Sequence, residues 1–181
     1  MLHEMRELGV KMIVAGLESG SDIVLSEINK DYTADEAIIA GQKMLDAGIE
    51  LGTGVILGLG GVKHSESHVI GTIRVLNELP SAQMGFTVLN PQSDSLLYDD
   101  IQSGAFDLPT YRQIFREEAE IIKGLKVKEQ TIFRTGFFLP GNPVIIGSLP
   151  NEKERILKQV EDRVNEYRQI LDEKIMMNVG L

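Results

Sequence analysis

Three short apolar runs, each closing on a polar residue, organise the first ninety positions. Lys11-Met-Ile-Val-Ala-Gly-Leu-Glu18 is almost continuously apolar, which suits a strand covered on both faces, as in a parallel sheet. Met5-Arg-Glu-Leu-Gly9-Val10 before it reads as the last turn of a helix, a glycine C-cap and the entry into that strand. Glu50–Leu57 and Gln83–Asn90 are the second and third runs. Helical stripes separate them. Asp22 to Lys30 places Ile23, Val24, Leu25 and Ile28 on an apolar side behind Ser21 as N-cap. Thr33-Ala-Asp-Glu36 is a capping box that opens a helix from Ala34 to about Ala47, with Ala37, Ile38, Met44 and Leu45 as its buried stripe. Ser65 is placed to cap a helix through Val69, Ile73, Val75 and Leu76, stopped by Pro80.

Met5–Met12 and Met44–Leu51 match in kind, which marks a repeated strand–helix unit. Repeated units with buried strands predict a parallel sheet with its helices outside. The remainder is less regular. Asp94 to Phe106 reads as a loop or broken helix, and Pro109 starts a helix through Tyr111, Ile114, Phe115, Ala119 and Ile122 to about Gly124. Lys128–Leu139 is strand-like and aromatic, Pro140–Pro150 a turn-rich connection, and Asn151–Lys174 a long amphipathic helix. That last stripe (Ile156, Leu157, Val160, Val164, Tyr167, Leu171) lasts barely three heptads, so packing on the body is favoured over a coiled coil.

Composition narrows the function classes. The 181 residues carry 18 Lys+Arg against 27 Asp+Glu, a net charge of −9, which argues against nucleic acid as the main partner. The basic group Lys123, Lys126, Lys128 and Arg134 suits a solvated helix end. No cysteine is present, so disulfides, thiolate zinc sites and cysteine-ligated iron–sulfur clusters are excluded within this chain. The longest uncharged stretch, Leu51–Val62, is too short and glycine-rich for a membrane helix, and the charged N-terminus is no signal peptide. A cytoplasmic protein without a membrane partner is the expectation.

Ligands of parallel α/β folds sit at the carboxyl ends of strands. The first such end is Gly16-Leu-Glu18-Ser19-Gly-Ser-Asp22. Glu18, flanked by Gly16 and Gly20, can accept ribose hydroxyls or an ammonium, or can simply pair with a nearby lysine. The second is Gly54-Val55-Ile56-Leu57-Gly58-Leu-Gly-Gly61. It is no phosphate loop, because Val62-Lys63-His64 follows where Gly-Lys-Ser/Thr is needed. Nor is it a dinucleotide fingerprint, since Leu57 stands where the third glycine belongs. It reads as a strand leaving its sheet through small residues, open to a flat ligand or merely turning. The third is Asn90-Pro-Gln-Ser-Asp94, where Asn90 can bond a ligand or hold the turn. His64 and His68 are four apart but frame Ser-Glu-Ser rather than a zinc motif, so no metal site is assigned. No Ser–His–Asp triad can be argued and no Gly-x-Ser-x-Gly elbow occurs, so an unrelated barrel hydrolase lacks its base.

Together these residues resemble the second half of a radical S-adenosylmethionine (radical SAM) enzyme. Gly16-Leu-Glu-Ser-Gly-Ser-Asp22 with Ile28-Asn-Lys-Asp-Tyr-Thr33 resembles the family's fourth-strand end. Gly54-x-Ile56-x-Gly58 resembles its fifth-strand Gly-x-Ile-x-Gly-x-x-Glu motif, whose backbone lies against adenine. Phe133-Arg-Thr135 and Gly147-Ser-Leu-Pro150, ahead of Glu152-Lys-Glu-Arg155, resemble the end of the iron–sulfur oxidoreductase subgroup. The departures are specific: the Cys-x-x-x-Cys-x-x-Cys motif is missing, Gly61 replaces the motif glutamate, and Asn90-Pro-Gln-Ser-Asp lacks Pro-x-Gly-Thr.

The resemblance implies an α/β fold, an incomplete, half TIM-like parallel β/α barrel of about three βα units with an α-rich C-terminal tail. It divides the chain into barrel (1–124) and tail (125–181). It implies that Glu18 and Ser19 face the ribose or methionine part of S-adenosylmethionine and that Gly54, Val55, Ile56, Leu57 and Gly58 face its adenine, with Asn90 nearby. The parent enzyme would use S-adenosylmethionine and a [4Fe–4S] cluster; this chain alone is expected to be inactive and to bind neither tightly. A homodimer through the edge of the first strand, or an N-terminal half carrying the cluster, is the expected partner. A half-barrel scaffold module without chemistry is the alternative.

Overall fold

The computed structural model describes residues 1–137 and 144–166. Helix α1 (Leu2–Glu7) leads into β1 (Met12–Glu18), followed by α2 (Asp22–Glu27), α3 (Ala34–Asp46), β2 (Glu50–Leu57), α4 (Ser65–Glu78) and β3 (Gln83–Val88). Then come α5 (Leu96–Ser103), α6 (Tyr111–Gly124), β4 (Thr131–Phe137), β5 (Ile145–Leu149) and α7 (Lys153–Glu166). The sheet order is β1-β2-β3-β4-β5, parallel through β4 and antiparallel at β5. Strands in chain order without reversal are what a barrel segment shows and a doubly wound sheet does not. Here the sheet is open, with β1 and β5 as its edges.

Several expectations need correction. The parallel run has four strands, not about three, because the aromatic segment Thr131–Phe137 joins β3 in register, Met84 opposite Phe133 and Phe86 opposite Thr135. Within the segment read as a turn-rich connection, Ile145–Leu149 is a strand paired with β4; positions 140–143 lie outside the described residues. Asp94–Phe106 contains a capped helix, α5, with Ser95 Oγ accepting from the Tyr98 amide. Helix α6 starts at Tyr111, two residues after Pro109: Thr110 is the N-cap, and it forms a reciprocal capping box with Gln113. Ser65 is not a cap. Its hydroxyl is drawn to Glu117, and His64, at the N-cap position of α4, makes no side-chain cap hydrogen bond. The Thr33–Glu36 capping box forms as expected. Helix α7 packs on α6 and β5 through Ile156 and Val160; Tyr167, Leu171 and the rest of that stripe lie outside the described residues.

The two faces of the sheet differ. Leu51, Thr53, Val55 and Leu57 of β2, Met84, Phe86 and Val88 of β3, and Thr131, Phe133 and Thr135 of β4 are buried on the helix side. Phe86 and Phe133 meet edge to face, with ring centroids 4.9 Å apart. The opposite side has no covering element among the described residues. Val14 is 69% exposed and Ile146 55%, so the run Lys11–Leu17 is not covered on both faces as its composition suggests. Only Leu17 of that strand's apolar residues is fully buried.

Candidate functional site

Three glycines lie side by side across the bare face: Gly16, Gly54 and Gly85 occupy one row of β1, β2 and β3. A Cβ at Gly85 would meet nothing within 4 Å, and at Gly54 only backbone atoms near 4 Å. The row therefore forms a flat floor to which a ring can come close. Arg134 continues it on β4, opposite Gly85. At the β1 end the floor is overhung by Glu18, whose carboxylate occupies the space a Gly16 side chain would need.

Glu18 is held in an unusual backbone. Its φ is +58°, and the Ser19 amide donates back to the Leu17 carbonyl at 2.6 Å, a tight three-residue turn that costs a non-glycine residue conformational energy. The turn interrupts the β1–β2 register between Gly16 and Glu18. Lys30 Nζ stands 3.5 Å from Glu18 Oε1 at a partly exposed site. The Tyr32 hydroxyl donates to the carbonyls of Gly16 and Leu17 at 3.0 and 3.2 Å. Burial, and then the Glu18 charge, raise the Tyr32 pKa, so its hydroxyl stays protonated as a donor.

The strand pleat sorts the other predicted residues. Gly54 and Ile56 lie on the bare face, half-buried, whereas Val55 and Leu57 point into the helix-side core. Gly58 leaves the sheet with φ +82°. The Ser19 side chain is wholly buried, with its hydroxyl engaged by the Ser21 amide at 3.1 Å and by His68 Nδ1 at 2.8 Å. Asn90 sits beyond β3, where its carbonyl accepts from Gln92 Nε2 at 3.1 Å within the turn.

Beneath these strand ends lies a buried polar group: Ser19 is expected from the sequence to face a ligand and His68 is weighed there only with His64 as a metal pair, while Glu117 and Glu118 are not marked there at all. His68 Nε2 is 3.5 Å from Glu117 Oε1. The same Glu117 oxygen accepts the Gly58 amide at 2.6 Å, and Oε2 accepts the Ser65 hydroxyl at 2.7 Å. Burial pushes Glu117 up to about 7 and His68 down to about 4. Glu118, next along α6, is buried between Thr135 and Arg163, and burial raises it to about 7. Thr135 faces that carboxyl without closing a hydrogen bond of good geometry, and both Glu118 oxygens lack one among the described residues. The signal for these glutamates was present: Ile114, Glu118 and Ile122 are spaced by four, so a carboxylate stands in the core stripe.

Glu118 makes a pH prediction. Its folded pKa lies above its unfolded value of about 4.5, so its contribution to stability is full below that value and is lost as pH rises through about 7. The shift corresponds to on the order of 3 kcal/mol. Glu118→Gln should therefore reduce the fall in unfolding free energy between pH 5 and 8, measured by urea titration, while Glu117, also raised to about 7, keeps its own share of that fall in both proteins. His68 works in the opposite sense, losing stability as pH falls below about 6.5, and stays in place in both proteins as the internal control. An unchanged pH slope in the variant would refute this origin.

A five-stranded, mostly parallel sheet with helices on one face and a glycine floor on the other defines an α/β protein with its candidate site at the carboxyl ends of β1 and β2. Its fold is similar to the archaeal Methanocaldococcus infernus Elp3 with an N-terminus deletion (1-46), at a TM-score of 0.63 and 16% identity over 90% of this chain. The chain spans about 38% of that protein's length. No protein-family profile matches the sequence, and no curated protein matches it. No helix among the described residues is long and apolar enough to cross a membrane, and no group of three His, Asp or Glu there can hold a metal ion.

Proposed function

We propose that this chain is the C-terminal, ligand-facing part of a radical SAM-type β/α barrel, in which the glycine floor and Glu18 take S-adenosylmethionine. The observation that carries the reading is the strained turn that suspends the Glu18 carboxylate over a bare row of glycines. Such strain persists where surrounding contacts enforce it, and it clusters at ligand sites. The likeness to the fold of Elp3, at 16% identity, supports the fold-level part of the reading.

The residues fit one of the two groups that such an enzyme uses and not the other. Gly54 and Gly85 leave room for a flat ring, with Ile56 beside it as an apolar wall. Glu18 offers an acceptor for ribose hydroxyls or for the methionine ammonium. An iron–sulfur cluster of this type needs thiolate ligands, and the sequence contains no cysteine, so no step through a cluster is assigned to this chain. Its share is binding and orientation. A second copy of the chain along the β1 edge is the proposed partner.

Calorimetry with S-adenosylmethionine tests the reading. Without a cluster to chelate its amine and carboxylate, the ligand should bind at high micromolar to millimolar Kd, about −4 to −6 kcal/mol. Gly54→Val, which fills the floor, should abolish the signal, and Glu18→Gln should weaken it several-fold. No heat at millimolar ligand would favour the scaffold alternative. A sub-micromolar Kd would show a complete site and overturn the partial-barrel reading.

A further inference from the structure

The polar group under the site joins the two strand ends by hydrogen bonds except at one gap, where His68 Nε2 stands 3.5 Å from Glu117 Oε1 and, among the described residues, closes no hydrogen bond. Counting donors and acceptors orients it. Ser21 N–H donates to Ser19 Oγ, so the Ser19 O–H is free to donate to His68 Nδ1. His68 then carries its proton on Nε2, facing a Glu117 carboxylate that also receives the Gly58 amide and the Ser65 hydroxyl. Ser19, His68 and Glu117 are buried and Ser65 is partly buried, and the loop carrying Ser19 is tied to the same helix a second time by Gly20 N–H to Thr72 Oγ1 at 3.1 Å. We propose that Ser19, His68 and Glu117 form a positioning chain that couples the turn at Glu18 to the β2 end at Gly58, so that the two strand ends change conformation together.

Protonation of Glu117 is what the chain would sense. A proton on Glu117 Oε1, the oxygen that faces His68, and the His68 Nε2–H cannot both donate into the same gap, whereas a proton on Oε2 would be donated to the Ser65 hydroxyl oxygen and leave that gap unchanged. With the proton on Oε1, either the Gly58 amide loses its acceptor, or His68 moves its proton to Nδ1 and the Ser19 hydroxyl must turn away from it. The first loosens the β2 end and the second the Glu18 turn. Charged or titratable neighbours bear on the same step: His64, Glu66 and His68 from α4, and Arg116, Glu118 and Glu120 on α6, with Arg163 of α7 beside Glu118. Burial raises Glu117 toward neutrality, which places the transition in an accessible range.

The coupling itself needs no ligand; only its consequence for S-adenosylmethionine rests on the proposed function. The experiment is NMR on the full ¹⁵N-labelled chain between pH 8.5 and 5.5, following the His68 ring nitrogens and the Gly58, Ser19 and Ser21 amides. The expected result is an Nε2–H tautomer at high pH and one shared midpoint for all three amides, removed from all three in Glu117→Gln. Titration of Gly58 without Ser19 and Ser21, or a shared midpoint that persists in Glu117→Gln, would overturn the proposal. Ser19→Ala guards against misfolding of that variant. It should move the Gly58 midpoint by about 0.5 pH unit, threefold in proton affinity, and an unmoved midpoint and tautomer overturn the coupling. In a separate arm, S-adenosylmethionine affinity should fall at least threefold from pH 8 to 6 in the wild-type chain and not in Glu117→Gln. Coupled amides with no detectable S-adenosylmethionine binding would remove the ligand reading and leave the coupling standing.

Discussion

Gly71→Val should leave the protein unfolded or insoluble at 25 °C, and Gly71→Ala should already lower its urea midpoint sharply. Helix α4 crosses the β1–α2 loop with backbone against backbone: a side chain on Gly71 would land on the Gly20 carbonyl, and one on Gly20 on the Gly71 carbonyl. Neither obstacle is the end of a flexible side chain that could swing aside. Overpacking of this kind costs about 1–3 kcal/mol for small additions. Two buried hydrogen bonds depend on the same approach, Gly20 N–H to Thr72 and Ser19 to His68, and each strands polar groups worth about 1–3 kcal/mol when broken. A loss of about 4–6 kcal/mol is comparable with the whole stability of a small domain. Alanine's gain of about 1 kcal/mol in helix propensity does not offset it. Gly85→Ala is the control, because its Cβ would enter open space and should cost less than about 1 kcal/mol. A Gly71→Val protein that melts within a few degrees of wild type would show that the helix and loop can separate freely.

Local chemistry explains which parts of this fold were legible beforehand. Strand β2 falls on the residues its apolar run marks, and α3 opens where its capping box stands, because both signals are complete within a few positions. Thr110–Gln113 carries an equally local capping box, yet Pro109 drew the helix start to itself. Strand β5 was hidden for another reason. Its five residues include Gly147 and border prolines, and it holds its place only by pairing with β4. Which face of β1 would be covered is a tertiary question that no apolar run can answer.

The candidate site divides along the same line. Glu18 and the Gly54–Gly58 segment are visible because unusual residues mark strand ends. The alternation of the pleat then sends Val55 and Leu57 to the core and leaves Gly54 and Ile56 for a ligand. Glu117 and His68 come together from helices 49 positions apart, 117 less 68, so no spacing rule could join them. What could have been noticed is a pair of glutamates inside the α6 core stripe. A buried carboxylate costs desolvation that something must offset, and for Glu117 that something is the amide of a strand end, whereas neither Glu118 oxygen closes a hydrogen bond among the described residues.

Substituting Val14 by lysine should convert a dimer into a monomer. Strand β1 pairs only with β2 among the described residues, so its other edge presents unpaired amides and carbonyls beside Val14 at 69% exposure. The Tyr32 hydroxyl already takes the carbonyls of Gly16 and Leu17, which confines the open edge to Met12–Ala15. Next to it, between β1 and α3, lies an apolar cavity of about 370 Å³ lined by Ala15, Leu17, Ala37, Ala40 and Met44. Leu8, at the end of α1, is 86% exposed. An uncovered strand edge invites pairing with another chain, and a two-fold axis is the commonest way to close such a contact. Two copies related in this way would place β1 antiparallel to its mate, Val14 close to Val14, with both cavities covered. Burying the edge, the cavity and the exposed α1 leucine together should approach the roughly 1,600 Å² of a standard interface. A lysine at position 14 would bring two like charges together at the axis and weaken the dimer at least tenfold, about 1.4 kcal/mol. Light scattering and sedimentation over a concentration series read the result. A wild-type chain that stays monomeric at millimolar concentration would remove the second copy as the partner and point to a separate polypeptide with its own strand. A dimer indifferent to Val14→Lys would place the contact elsewhere, with the exposed flank of α7 the next surface to substitute.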